Sequence, residues 1–294
     1  MSEITERKNI ISITEMNVQD IHASMVNLKE MSTYQPLNIV LSNNMDSYIP
    51  SDVISTIQST TGTLSFTSTA ILIKSPNAIR ASFQEVFAPT LSNLEAKGVN
   101  PIVARKATLL ETLKKMDFKV KENASLDSNL KAVFKAKDMK VLNTEIKSLM
   151  HKLKVYHTEV FVENMATACA IASKNIGFRD VEIKTVQGKL EVIASNSQGQ
   201  HLLSEISLDS KTNQVNANTE TIGITDGNCT TIIQSFNEEL RKMNIKIGEE
   251  KNTFTGGVCQ MSYAKIIDKQ AKVHKRRKEL ERIRKLNSNK QIKN

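Results

Sequence analysis

At 294 residues, with 39% hydrophobic and 24% charged side chains, the chain has the make-up of an ordinary globular protein and the length for two domains. An aromatic fraction of 4% with no Trp argues against stacking single-stranded bases on rings, and three cysteines without a CxxC pair argue against a disulfide framework or a structural zinc site. No apolar run suits a signal peptide or a membrane span, so a cytoplasmic setting is the expectation.

The net charge of +9 is unevenly spread. Residues 1–100 hold 6 Lys/Arg against 9 Asp/Glu, and residues 156–263 hold 9 against 13. Residues 101–155 hold 13 against 6, and residues 264–294 hold 12 against 3. Two basic segments therefore flank mildly acidic ones, an asymmetry that suggests a polyanionic or acidic partner.

Residues 1–35 read as a polar lead-in with weak helical character. Pro36–Ser42 (PLNIVLS) is short, apolar and β-branched, which predicts a strand. Ser51 and Asp52 can cap a short helix through Ile57. In Leu64–Lys74, Leu64, Phe66 and Leu72 alternate with polar neighbours, predicting another strand. From Asn77, the residues Ile79, Phe83, Val86, Phe87, Leu91 and Leu94 recur at helical spacing, with a kink or break expected at Pro89. A helix from Val103 to Met116 and a short strand, DFKVKE, complete this unit.

Residues 127–155 predict one long basic helix. Its Leu142, Ile146, Leu149 and Leu153 line one face, to pack on the body while the lysines point to water. From Val155 the rhythm changes. VYHTEVFV alternates as a strand does, and ENMATACAIASKNIGF reads as a helix stopped by Gly177. DVEIKTV and KLEVIAS predict a hairpin across Gln187-Gly188, and HLLSEISLD with QVNANTETIG a second one. Thr225 or Asp226 can cap a helix through Met243 with Ile232, Ile233, Phe236 and Leu240 on its buried face; NIKIGEE is the last short strand.

This order predicts an α+β protein. A smaller N-terminal αβ unit (36–123) follows the polar segment 1–35. A basic helix (124–154) leads to a ferredoxin-like, split βαβ unit (155–262) and then to a basic helical tail (263–294). ETLKKMDFKV (Glu111–Val120) echoes EELRKMNIKI (Glu238–Ile247), as a duplicated helix-to-strand element would and as chance convergence on a good helix C-terminus equally would.

Catalytic signatures are sparse. The chain has 10 glycines, no GxGxxG and no Walker loop. His151 and His157 fall either side of the predicted helix–strand junction, and His22, His201 and His274 stand alone. Asp180/Glu182 and Glu249/Glu250 read as strand ends and loops, not as paired acids in a cleft. No catalytic residue, metal site or cofactor is assigned, and an enzyme is not expected.

ITDGNC (Ile224–Cys229) and FTGGVC (Phe254–Cys259) share apolar-Thr-x-Gly-x-Cys. Thr225, Gly227, Cys229, Gly256, Gly257 and Cys259 are therefore candidates for an anion nest, with the Cys229 thiol at a helix N-terminus. The reading set beside it is a pair of ordinary turns, each followed by a core cysteine. The run Gly223–Cys229 (GITDGNC), preceded by short β segments and followed by an amphipathic helix, resembles a family of small uncharacterised bacterial and plastid αβ proteins. Members of that family carry a Gly-aromatic-x-Gly-x-x-Cys turn; here Ile224 takes the place of the aromatic and Asp226 that of a Gly. The resemblance spans residues 155–262 and implies an accessory protein working beside an AAA-type ATPase.

The tail carries KVHKRRKELERIRK (Lys272–Lys285), with Ile266, Val273 and Leu280 seven apart and Ile283 and Leu286 near the same face. Lys272, Lys275, Arg276, Arg277, Lys278, Arg282, Arg284 and Lys285 are the candidate polyanion contacts. The bland reading is a solvated helical appendage; the functional expectation is a binding or scaffold protein whose basic tail engages nucleic-acid phosphates without reading sequence. The alternative is an accessory subunit whose tail docks on an acidic protein surface.

Overall fold

The computed structural model describes residues 7–17, 20–21, 23–24, 49–61, 72–74, 76–115, 124–186, 188–209, 211–212, 214–224, 228–254 and 267. Its helices are α1 (Ser51–Thr61), α2 (Pro76–Ala96), α3 (Pro101–Lys115), α4 (Ala124–Lys135), α5 (Met139–Asn175) and α6 (Cys229–Lys242). Its strands are β1 (Arg7–Asn17), β2 (Leu72–Lys74), β3 (Asp180–Val186), β4 (Lys189–Ser195), β5 (His201–Leu208), β6 (Val215–Ile222) and β7 (Lys246–Phe254). The mixed α and β character expected from the sequence is present. The strands expected at Pro36–Ser42 and in DFKVKE lie outside the described residues, as does all but Leu72–Lys74 of the strand expected over Leu64–Lys74.

The seven strands form one antiparallel sheet in the order β2-β1-β6-β5-β4-β3, with β7 also pairing with β1. The two expected hairpins are there: β3 pairs with β4 through Val186 and Lys189, and β5 with β6 through Leu208 and Val215. Gly188 turns the first of them at φ +77°, a left-handed conformation that costs a side-chain-bearing residue about 1–2 kcal/mol.

Three expectations are corrected. Residues 7–17, within the expected polar lead-in, form β1, which runs through the interior of the sheet between β6 and β7. Its polar positions hid it: Asn9 is fully buried yet donates to Glu250 Oε1 (3.0 Å) and Asn252 Oδ1 (2.9 Å), and Ser12 Oγ accepts from the Glu249 N–H at 2.8 Å. The segment Val155–Val162 is helix, not strand, so the first strand of the expected split βαβ order is missing. The buried residues Leu142, Ile146, Leu149, Leu153, His157, Phe161 and Asn164 keep steps of three and four throughout, which is the helical period.

The third correction concerns the predicted single helix over 127–155, which is two helices. α4 ends at Lys135, and the Asp138 carboxylate accepts from the N–H groups of Lys140 (2.8 Å) and Val141 (3.1 Å) to cap α5. The buried Lys106 ammonium of α3 donates to the carbonyls of Phe134 (2.7 Å) and Ala136 (2.8 Å), satisfying the orphan end of α4. Burial pulls the Lys106 pKa down, and the Asp52 charge opposes that. α2 runs unbroken through Pro89, where the ring removes one helical donor. α5 ends as expected just before Gly177.

One apolar cluster joins the helices to the sheet. It gathers Ile11 and Ile13 of β1, Val53 and Ile57 of α1, Leu109 and Leu110 of α3, Phe161 and Met165 of α5, Val192 and Ala194 of β4, and Phe236 and Leu240 of α6. Small residues on α5, Ala166, Ala168, Ala170 and Ala172, are all fully buried and let that helix lie close on β3, β4 and β5. Both α5 and α6 therefore cover the same face of the sheet. The opposite face holds a second, small cluster of Ile193, Leu203, Ile222 and Ile267.

Candidate functional site

Side chains alternate across a strand, so the residues facing away from α5 and α6 can be read from the strand register. Opposite one another on that second face stand Glu182, Ile193, Leu203 and Glu220; the next row is Lys184, Glu191, Glu205 and Asn218. Each of β4, β5 and β6 places a glutamate two positions from an apolar residue: Glu191 and Ile193, Leu203 and Glu205, Glu220 and Ile222. Across β3 to β6 the face carries five carboxylates (Asp180, Glu182, Glu191, Glu205, Glu220) and two ammonium groups (Lys184, Lys189).

Two of these carboxylates are unusual. Glu191 and Glu220 are each 2% exposed although they lie on the side away from the helices. Among the described residues Glu191 Oε2 has no hydrogen-bond partner, and neither does the buried Asn218 Oδ1. Burial and the neighbouring Glu205 charge raise the Glu191 carboxyl above the usual range, with Lys189 opposing. The better-solvated acids are matched: Lys184 pairs with Glu182 at 2.9 Å and Lys189 with Glu205 at 3.0 Å. Ile267 closes on this face at 5% exposure, packed with Ile193, Leu203 and Ile222. Sequence reasoning placed Ile266, not Ile267, on the apolar stripe of the tail and did not single out the acidic row. A glutamate two positions from an apolar residue in three consecutive strands was the signal that could have found it.

The expected tail contacts Lys272, Lys275, Arg276, Arg277, Lys278, Arg282, Arg284 and Lys285 lie outside the described residues, as do Thr225, Gly227, Gly256, Gly257 and Cys259 of the two Gly-bearing turns. Cys229 is the first residue of α6, 2% exposed, and its thiol donates back to the Ile224 carbonyl at 3.8 Å. It thus faces into the fold. The helix is preceded by Asn228, which makes no side-chain cap bond, while Thr225 and Asp226, the residues expected to cap it, lie outside the described residues. Cys169 is fully buried, and desolvation pushes its thiol far above the ordinary value.

The remaining expected groups are dispersed. His151 is exposed on α5, while His157, on the same helix, is buried with its ring tilted on Phe161 at 6.3 Å. His201 shares a hydrogen bond of 2.8 Å with Ser195, and burial lowers its pKa. Glu250 lies on β7 and accepts from Asn9 and Asn237, each at 3.0 Å, so it serves the contact between α6 and the sheet. Glu249, its neighbour on the strand, pairs with Lys251 at 3.3 Å. Among the described residues no group of three or more His, Cys, Asp or Glu is placed to hold a metal ion, and no helix is long and apolar enough to cross a membrane.

On the basic hairpin of α4 and α5, the expected stripe Leu142, Ile146, Leu149 and Leu153 is buried, while Lys135, Lys137, Lys140 and Lys147 are exposed. No protein-family model, curated protein or solved structure matches this chain.

Proposed function

We propose that this is a non-enzymatic binding protein that engages a polyanion, nucleic-acid phosphates foremost, through its basic C-terminal segment. The observation that carries the reading is the charge distribution: the whole chain nets +9, residues 264–294 supply 12 Lys/Arg against 3 Asp/Glu, and the rest of the chain is balanced. A cation set gathered on one short segment binds phosphate by releasing condensed counterions, which needs no base contact and no ring to stack on. The exposed lysines at the turn between α4 and α5 offer a further, weaker electrostatic surface of the same sign.

Electrophoretic mobility shift on duplex DNA at several salt concentrations tests this. With about six phosphates neutralised, log Kobs falls with log salt at a slope near −5, whatever the DNA sequence. Arg276→Gln, Arg277→Gln and Lys278→Gln together flatten that slope by about 3 and weaken all sequences alike. Equal, salt-insensitive binding by parent and variant would reject the reading. Purification with a stoichiometric acidic protein in place of nucleic acid would replace it with that of an accessory subunit, the function implied by the resemblance around Gly223–Cys229.

A further inference from the structure

We propose that the second face of the sheet is the docking surface for this chain's own basic tail, residues 264–294, anchored at Ile267. Three observations commit the face to this occupant. One residue of the tail, Ile267, is already there, packed with Ile193, Leu203 and Ile222 on β4, β5 and β6. Its charge complements the surface: five carboxylates against two lysines on strands β3 to β6 meet 12 Lys/Arg against 3 Asp/Glu on the tail. Its length suffices, because the 27 residues after Ile267 span about 40 Å if helical, whereas crossing from β3 to β1 at strand spacing takes about 20 Å.

The buried acceptors fit the same arrangement. Glu191, with Oε2 unpartnered at 2% exposure, and Asn218 Oδ1 sit in the row next to Ile193 and Leu203, beside the anchor. A carboxylate shielded from water is stabilised by a cation brought to it, and the tail is the richest source of cations in the chain. Counting Lys8 of β1, opposite Glu220, the face from β3 to β1 has an excess of two negative charges; the tail's excess of nine positive charges is larger, so docking leaves cations pointing outward. The sheet then holds the tail in a fixed orientation for its partner, which lowers the ordering cost of binding. The docking itself rests on Ile267 and the acidic face and needs no partner, so it stands or falls apart from the polyanion reading.

Hydrogen–deuterium exchange on the full chain, without nucleic acid, decides it. At low salt, amides over residues 268–285 exchange at least tenfold more slowly than free-chain rates, and 1 M salt, with a screening length of about 3 Å, releases them. Ile267→Asp removes the anchor and brings exchange to free-chain rates. The triple variant Glu182→Gln, Glu191→Gln, Glu205→Gln, which removes the face's negative excess without changing its shape, does the same while circular dichroism shows the body folded. Free-chain exchange in the parent protein would overturn the proposal, and so would protection that survives the triple substitution.

Discussion

On β4, Leu190, Val192 and Ala194 meet α5, whereas Glu191 and Ile193, one position out of step, face the other way. The same alternation runs through β5 and β6, so one sheet has two differently finished sides. The helix-covered side is apolar and continuous, with small alanines on α5 and large Phe161 and Phe236 filling the space between layers. The other side is an apolar spot of four residues rimmed by carboxylates. The first is a core that fixes the fold; the second is mostly polar and charged.

The sharpest way to break this comparison is a truncation on each side. Phe161→Ala opens a cavity in the main core and lowers unfolding free energy by about 3–5 kcal/mol in urea titration. Leu203→Ala, on the opposite side, costs about 2–3 kcal/mol, because only a small cluster loses contacts. Equal losses would mean that both sides are core of one kind. Asn237→Leu tests the polar exception on the helix-covered side: it strips a donor from Glu250 and costs about 1–2 kcal/mol in the same titration.

The smallest effect carries the most information about sign. Burial, then the Glu205 charge, raises the Glu191 carboxyl, so the folded chain holds that proton more tightly than the unfolded chain does. Stability therefore falls as pH climbs from the ordinary carboxylate value through the raised one. Glu191→Gln removes that loss. In 1 M salt, which screens the tail's cations, its melting midpoint exceeds the parent's at pH 7, by less than about 1 kcal/mol in stability, and the two converge below about pH 4. A lower midpoint at pH 7 would show that the ionised carboxylate is held by a cation strongly enough to outweigh its burial.

Much of this architecture was legible from period alone. The hairpins β3–β4 and β5–β6 and the helices α2, α3 and α6 follow from alternation or helical spacing, with Gly188 and Gly177 marking where chains turn. What escaped did so where polar residues take core positions. His157 and Asn164 continue the buried stripe of α5, so counting apolar residues ended that helix too early and turned Val155–Val162 into a strand. Asn9 and Ser12 did the same to β1, since their partners Glu250 and Glu249 lie more than 200 residues away. The acidic row was hidden for a related reason: Glu191, Glu205 and Glu220 come from three strands and meet only through the sheet register. The basic tail, by contrast, is local in sequence and stood out at once.

The position of β1 has a consequence for synthesis. Roughly 200 residues separate Asn17 from Val215, the start of its neighbour β6, and β7 comes later still. The short β2 reaches only Glu15–Asn17 of β1, so at ribosomal speeds of about 5–20 residues per second the emerging Ile10, Ile11 and Ile13 wait about 10–40 seconds for their own partner, β6. During that interval the nascent segment is an open template for foreign strands, with Arg7 and Lys8 beside it as the charges that discourage them. Closing the sheet is thus a late event, and conditions that stall translation before Ile222 leave the isoleucine-rich strand exposed for longest.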